Sequence, residues 1–252
     1  MKNNLPRSAF ALWRRRILIV LLWIAVWEGV YLLIGRDIYF PSPVSVAQTF
    51  FGLLTEKNTW TVIGFSVYRT LFALIASAVL GVVFGMACGL NRTMYDVINP
   101  LIVVLKSTPV VSVIIIAIIW FRSTDVPIFS GFLMCFPIVF TGTVAGIRGT
   151  DPKLVEMCSF YKLRRFDKLR FLYFRSAKPY INASIVSAIG IGWKAVAAAE
   201  VLSTPRLSIG ANLFFAKTAL DPALLFAWTA IIILLSFVFE TIYAKVSGYD
   251  KT

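Results

Sequence analysis

The chain is 252 residues long, 59% of them hydrophobic, with a mean hydropathy of +0.81 and a formal net charge of +13. So much apolar side chain excludes a soluble globular domain, and the length suits one membrane domain, 1–252, with no room for a second globular unit. The basic balance does not point to nucleic acid, because the cations gather at the ends of apolar runs.

Residues 1–16 carry Lys2, Arg7, Arg14, Arg15 and Arg16 and precede a charge-poor run, 17–35. That run is long for a signal peptide and lacks a small-x-small cleavage site, so we read a first span behind a cytoplasmic tail. Phe40-Pro41-Ser42-Pro43 stops a helix, and apolar residues at helical spacing (Val44, Ala47, Phe51, Leu54) predict a short amphipathic helix on the outer surface. The second span is 61–90. Its Gly81, Gly85 and Gly89 share one helix face and invite close approach of a neighbouring helix. Span three, 97–121, holds Lys106 and Pro109, and the proline should bend it. Spans 126–147, 180–202 and 223–244 complete six. Between the last two, 203–222 reads as an outer connection with Pro205, Gly210 and Pro222.

Residues 148–179 interrupt this pattern with Arg148, Lys153, Lys162, Arg164, Arg165, Lys168, Arg170, Arg175 and Lys178. By the positive-inside rule this loop is cytoplasmic, and both termini are cytoplasmic with it. The outer side keeps only Arg36, Lys57, Arg122, Arg206 and Lys217. Asp151 and Pro152 are an N-cap and first-turn pair for a helix carrying Leu154, Val155, Cys158, Phe160 and Tyr161. Residues 162–165 read as a break and 166–174 as a second helix. Such a projecting helix suits the groove of a soluble partner, and its cations suit anionic lipid.

Little else in the chain supports catalysis. There is no His, no phosphate-binding glycine loop and no Asp within a span, and the three Cys are scattered apolar fillers rather than metal ligands. Charges inside spans are Glu28, Arg69, Lys106, Lys194, Glu200 and Glu240, each expensive unless paired or wet. Arg69 is expected to pair with Glu200 or Glu28, either near the outer end of a substrate path or as a structural tie. Lys106 and Lys194 either face the path and attract an anion or snorkel.

The loop resembles the coupling loop of permease subunits of binding-protein-dependent ABC importers, E-A-A-x-x-x-G followed by I-x-L-P. Glu156 matches the Glu; Met157 and Cys158 replace the alanines, and Lys162 the glycine. Leu172, Phe174 and Arg175 stand at the later Ile, Leu and Pro. The surroundings are similar to the nitrate/sulfonate/taurine branch: Phe40-Pro41-Ser42-Pro43, Arg69 in S-x-x-R, Lys106-Ser107-Thr108-Pro109, Phe136-Pro137-Ile138, Asp151-Pro152, Gly192-Trp193-Lys194 and Ala199-Glu200-Val201-Leu202.

The resemblance implies an all-α, six-helix permease of the type I importer fold, without cofactor or enzymatic activity of its own. It implies a homodimer that binds two copies of a cytoplasmic ATPase and receives solute from an extracytoplasmic binding protein. The ATPase would engage Asp151, Leu154, Glu156, Met157, Cys158, Phe160, Tyr161, Lys162, Leu163, Arg164, Arg165 and Phe166. Pathway or gate candidates are Arg69, Lys106, Pro109, Trp193, Lys194 and Glu200. The solute would be small, either organic or anionic. A self-sufficient, ion-coupled secondary transporter is the alternative, although no internal repeat is visible.

Overall fold

In hydrocarbon every backbone amide needs an internal partner, so apolar runs of this length can only be helices. The computed structural model describes residues 9–248, and among them every regular element is helical. In chain order these are α1 (Ala9–Ile34), α2 (Pro43–Thr55), α3 (Lys57–Leu90), α4 (Arg92–Ser107), α5 (Val110–Trp120) and α6 (Val126–Arg148). Then come α7 (Pro152–Phe160), a single turn α8 (Arg165–Asp167), a π-helical stretch Lys168–Tyr173, α9 (Phe174–Ser203), α10 (Ile209–Thr218) and α11 (Pro222–Ser247). Lys2, Arg7 and Lys251 lie outside the described residues, and the first helix already begins within the expected tail.

The core is the α3–α6–α9 triad. A Cβ on Gly81, Gly85 or Gly89 would lie 2.8, 2.6 or 2.7 Å from the Cβ of Val139, Thr143 or Ile147, so the glycine face of α3 packs directly on α6. The α6–α9 seam is equally close, at Gly142 against Ser184 and Gly146 against Ala177. Leu74, Cys135, Val139, Ala188, Ile189 and Trp193 fill the space where the three helices meet. α11 and α2 close the outer flank through Leu53, Val62, Ile209, Trp228 and Ile231. α1 hangs on the bundle by an aromatic clasp: Trp27 Nε1 donates to the Pro41 carbonyl at 3.0 Å, and its ring stacks among Phe40 and Phe226.

Three elements differ from the sequence expectation. The expected third span is two helices, α4 and α5, meeting at 100°. Pro109 drives Thr108 out of the helical region (ψ 126°) and is itself extended (ψ 133°), so two successive residues turn the chain instead of bending it. Five helices among the described residues are long and apolar enough to cross a membrane, and a sixth span is reached only if this broken pair counts as one. The fifth span does not begin at Tyr180. A continuous 39-residue rod, Arg165–Ser203, carries the chain through Pro179 from the basic loop to the far end of the bundle. The outer connection contains a helix, α10, started by Ser208, whose Oγ accepts from Ala211 N at 3.0 Å.

Candidate functional site

At the inner end, α7 starts as predicted: Asp151 accepts from Lys153 N at 2.9 Å and Pro152 takes the first position. It stops in a Schellman motif. Lys162 N donates to Ser159 O and Leu163 N to Cys158 O, with Lys162 left-handed at φ +51°. The resembled glycine turn is therefore kept, built on a lysine. Only Cys158 of α7 is buried, and Lys168 Nζ ties the helix to the rod by donating to Ser159 Oγ at 2.9 Å. A cleft of about 410 Å³, lined by Gly89, Ile147, Arg148, Thr150, Glu156 and Tyr173, undercuts it. Leu154, Met157, Phe160, Tyr161, Leu163 and Phe166 are exposed, with Phe160 at 83%. Arg148 seats its guanidinium 3.7 Å from the Tyr95 ring centre and so fastens α4 to the inner end of α6.

Near the outer end, Arg69 meets Glu200 rather than Glu28. Arg69 Nη1 lies 3.0 Å from Glu200 Oε1 and also donates to the Leu207 carbonyl at 2.8 Å. Glu200 accepts further from Ser66 Oγ at 2.8 and 2.9 Å and from Gly210 N at 3.0 Å. Ser66 Oγ in turn accepts from Ile209 N at 3.0 Å. Arg69 and Glu200 are 5% and 1% exposed. A Cβ on Gly210 would be 2.3 Å from that of Glu200, so only glycine brings this amide to the carboxylate. The cluster thus pins the first turn of α10 and the segment before it to α3 and α9. Sequence reasoning found the two charges but not the backbone groups around them. Ser66, three residues before Arg69 on the same face, was the available signal.

The remaining candidates separate by side. Trp193 is 2% exposed, 5.6 Å from the Phe239 ring, and faces the core; its Nε1 has no hydrogen-bond partner among the described residues. Lys194, about a quarter-turn further round α9, is exposed without a partner among the described residues. Ser187, Ile191 and Lys194 form an exposed stripe at i, i+4 and i+7. Lys106 is exposed as well, and its Nζ is 3.5 Å from Thr141 Oγ1 of α6. Pro109 is exposed at the α4–α5 break. Because α3 covers one face of the α6–α9 pair and α5 covers one end of the other through Ile114, Ala117, Val126 and Ala199, these exposed groups lie on the part left open. Thr141 went unremarked in the sequence because a lone hydroxyl in a span usually back-bonds its own helix, as this one also does, to Pro137 O.

Residues 81–247 match the family described as binding-protein-dependent transport system inner membrane component. The chain belongs to that family. The taurine transport system permease protein TauC of Escherichia coli (strain K12) is 24% identical over 220 residues, 85% of this chain and 80% of TauC. The nitrate import permease protein NrtB of Synechocystis sp. is 28% identical over 190 residues, 71% and 68% of the two chains. A chain from the crystal structure of an amino acid ABC transporter with histidines superposes with a TM-score of 0.60 at 16% identity, over 79% of this chain and 95% of that one, a likeness of fold.

The permease is therefore a multi-pass protein of the cell membrane and the translocation subunit of an ATP-driven importer. It is not an enzyme: a separate ATPase subunit hydrolyses ATP, and a separate binding protein presents the solute. Family membership sets aside the self-sufficient secondary transporter.

Proposed function

We propose that the permease works as a homodimer, with the open faces of the two α6–α9 pairs enclosing the pathway and one ATPase docked beneath each copy. The α7 ridge carries this reading. Large apolar side chains on a helix that stands below the bundle, flanked by cations and undercut by a cleft, are a surface awaiting a partner. Leu154, Met157, Phe160, Tyr161, Leu163 and Phe166 supply the apolar contact. Asp151, Glu156, Lys162, Arg164 and Arg165 form its polar rim, and Cys158 anchors the helix from behind. The neighbouring cations also rest on anionic lipid.

The rod that begins at Arg165 runs unbroken to Ser203, so a push on α7 is delivered along α9 to the outer cluster. Lys106, Pro109 and Lys194 line the pathway. Arg69 and Glu200 act from behind it, as the tie that holds its outer rim, and Trp193 fills the wall. The cargo is a small solute like those for which the relatives are named, taurine and nitrate among them.

Phe160→Ala tests the docking. A central aromatic anchor contributes about 2 kcal/mol or more, so the variant should retain its ATPase at least about 30-fold more weakly on copurification, at unchanged permease yield. Full retention of the ATPase would remove α7 from the interface.

A further inference from the structure

From the two unpaired lysines we infer that the open α6–α9 face is an anion ladder, with Lys106 and Thr141 as its inner rung and Lys194 as its outer rung. The inference rests on the translocation reading and deepens it, since it selects negatively charged solutes from the small solutes that reading admits.

Depth comes first. Thr141 adjoins Gly142, which packs on Ser184 of α9, so Lys106 meets the α6–α9 pair at that level. Gly131 packs on Val196, which puts Lys194 near the level of residues 132–133 of α6. By helical rise the two cations stand roughly 13 Å apart, each about 10 Å inside its own end of α6. Both are within the hydrocarbon thickness of a bilayer. A mid-span ammonium facing lipid costs a few kcal/mol, so this face is wet. Snorkelling does not describe Lys106, whose ammonium stays beside the Thr141 hydroxyl instead of reaching for the inner head groups.

Charge comes second. The acids on the helices around this face are otherwise engaged. Glu200 is buried among Arg69, Ser66 and Gly210 on the core side of α9, and α6 carries no acid. Asp96 lies near the start of α4, over two turns from Lys106. Between the rungs the face is uncharged, with Ser187 and Gly190, the latter open to space where a Cβ would stand. An anion leaving Lys194 therefore meets no repelling carboxylate before it reaches Lys106 and the Thr141 hydroxyl. The left-over cations that a fold would normally pair are the attraction that draws the solute inward.

The test reads the potential on this face directly. Ser187→Cys, two turns inward of Lys194, is labelled in the assembled importer by anionic methanethiosulfonate ethylsulfonate and by its cationic trimethylammonium counterpart. Cys88, Cys135 and Cys158 are buried thiols, so the parent chain is the blank. At this separation, even in fully hydrated surroundings, one ammonium should favour the anionic reagent over the cationic one by about fourfold. Adding Lys194→Gln should lower that preference, adding Lys106→Gln as well should abolish it, and Lys194→Arg should keep it. Methanesulfonate should protect the thiol in the Lys194 parent and not in the Gln variant. An equal rate ratio in the Lys and Gln backgrounds overturns the ladder, and so does a thiol inert to both reagents in an importer that still hydrolyses ATP. Either outcome leaves ATPase docking at Phe160 untouched, so the ladder and the translocation reading fail separately.

Discussion

Lys162 holds the most informative backbone conformation in the cytoplasmic loop. Its φ of +51° completes the cap of α7, a position where an L-side chain costs roughly 1 kcal/mol that glycine does not. Lys162→Gly should therefore slow amide exchange in the last turn of α7 about fivefold, the equivalent of that energy, in native-state hydrogen exchange. Faster exchange would mean that the lysine side chain itself holds the turn. At the outer end, the Arg69–Glu200 pair is specified by more than opposite charge. The Leu207 carbonyl needs a donor at position 69, and the Gly210 amide needs an acceptor at position 200. Arg69→Gln should destabilise by about 3–5 kcal/mol, because it leaves a buried carboxylate uncompensated. The exchanged pair, Arg69→Glu with Glu200→Arg, should be no better than either single change in thermal unfolding, since each charge would then face a backbone group of the wrong polarity. Recovery by the exchange would show that attraction between the side chains alone sets the site.

At the scale of elements, the spacing of small residues decides which helices touch. Gly85→Ala places a Cβ 2.6 Å from Thr143 Cβ and 2.9 Å from the Phe140 carbonyl, so α3 and α6 must separate. A loss of about 1–3 kcal/mol follows for such overpacking. Gly64→Ala on the same helix meets nothing within 4 Å and should gain up to about 1 kcal/mol from helix propensity. Thermal unfolding midpoints should move in opposite directions; equal shifts would deny α3 its place against α6. This glycine face was legible in the sequence because its four-residue period needs no tertiary knowledge, as was the Asp151-Pro152 helix start. The α4–α5 corner was not, because Pro109 within an apolar run is compatible with a mild bend, and the 100° turn depends on Thr108 and Pro109 both being extended. α10 was hidden behind Gly210, read as a loop residue when its role is to let an amide reach Glu200. The pairing of Arg69 with Glu200 instead of Glu28 depended on long-range packing of α3 on α9, which no local pattern carries.

For the whole molecule, orientation in the membrane follows from where the two sides differ. α7 and the start of the rod gather Lys153, Lys162, Arg164, Arg165, Lys168 and Arg170 at one end of the bundle. The other end, with α2, α10 and the tied segment before α10, holds the sparse set Arg36, Lys57, Arg122, Arg206 and Lys217. Insertion retains basic loops on the cytoplasmic side, so α7 should face the compartment where ATP is made, and the outer cluster the side where the solute arrives. Two single cysteines placed at exposed positions read this directly. Lys217→Cys, in the last turn of α10, should react with an impermeant maleimide added to intact cells. Lys153→Cys, in the first turn of α7, should react only after the membrane is opened. The reverse pattern would put the aromatic ridge out of reach of any ATPase. A mixed pattern, with both thiols reached from one side, would mean that the chain does not cross between α7 and α10. Because the continuous Arg165–Ser203 rod alone joins those two sites, that second outcome would also require the rod to lie along the membrane, where its buried seam with α6 could not form.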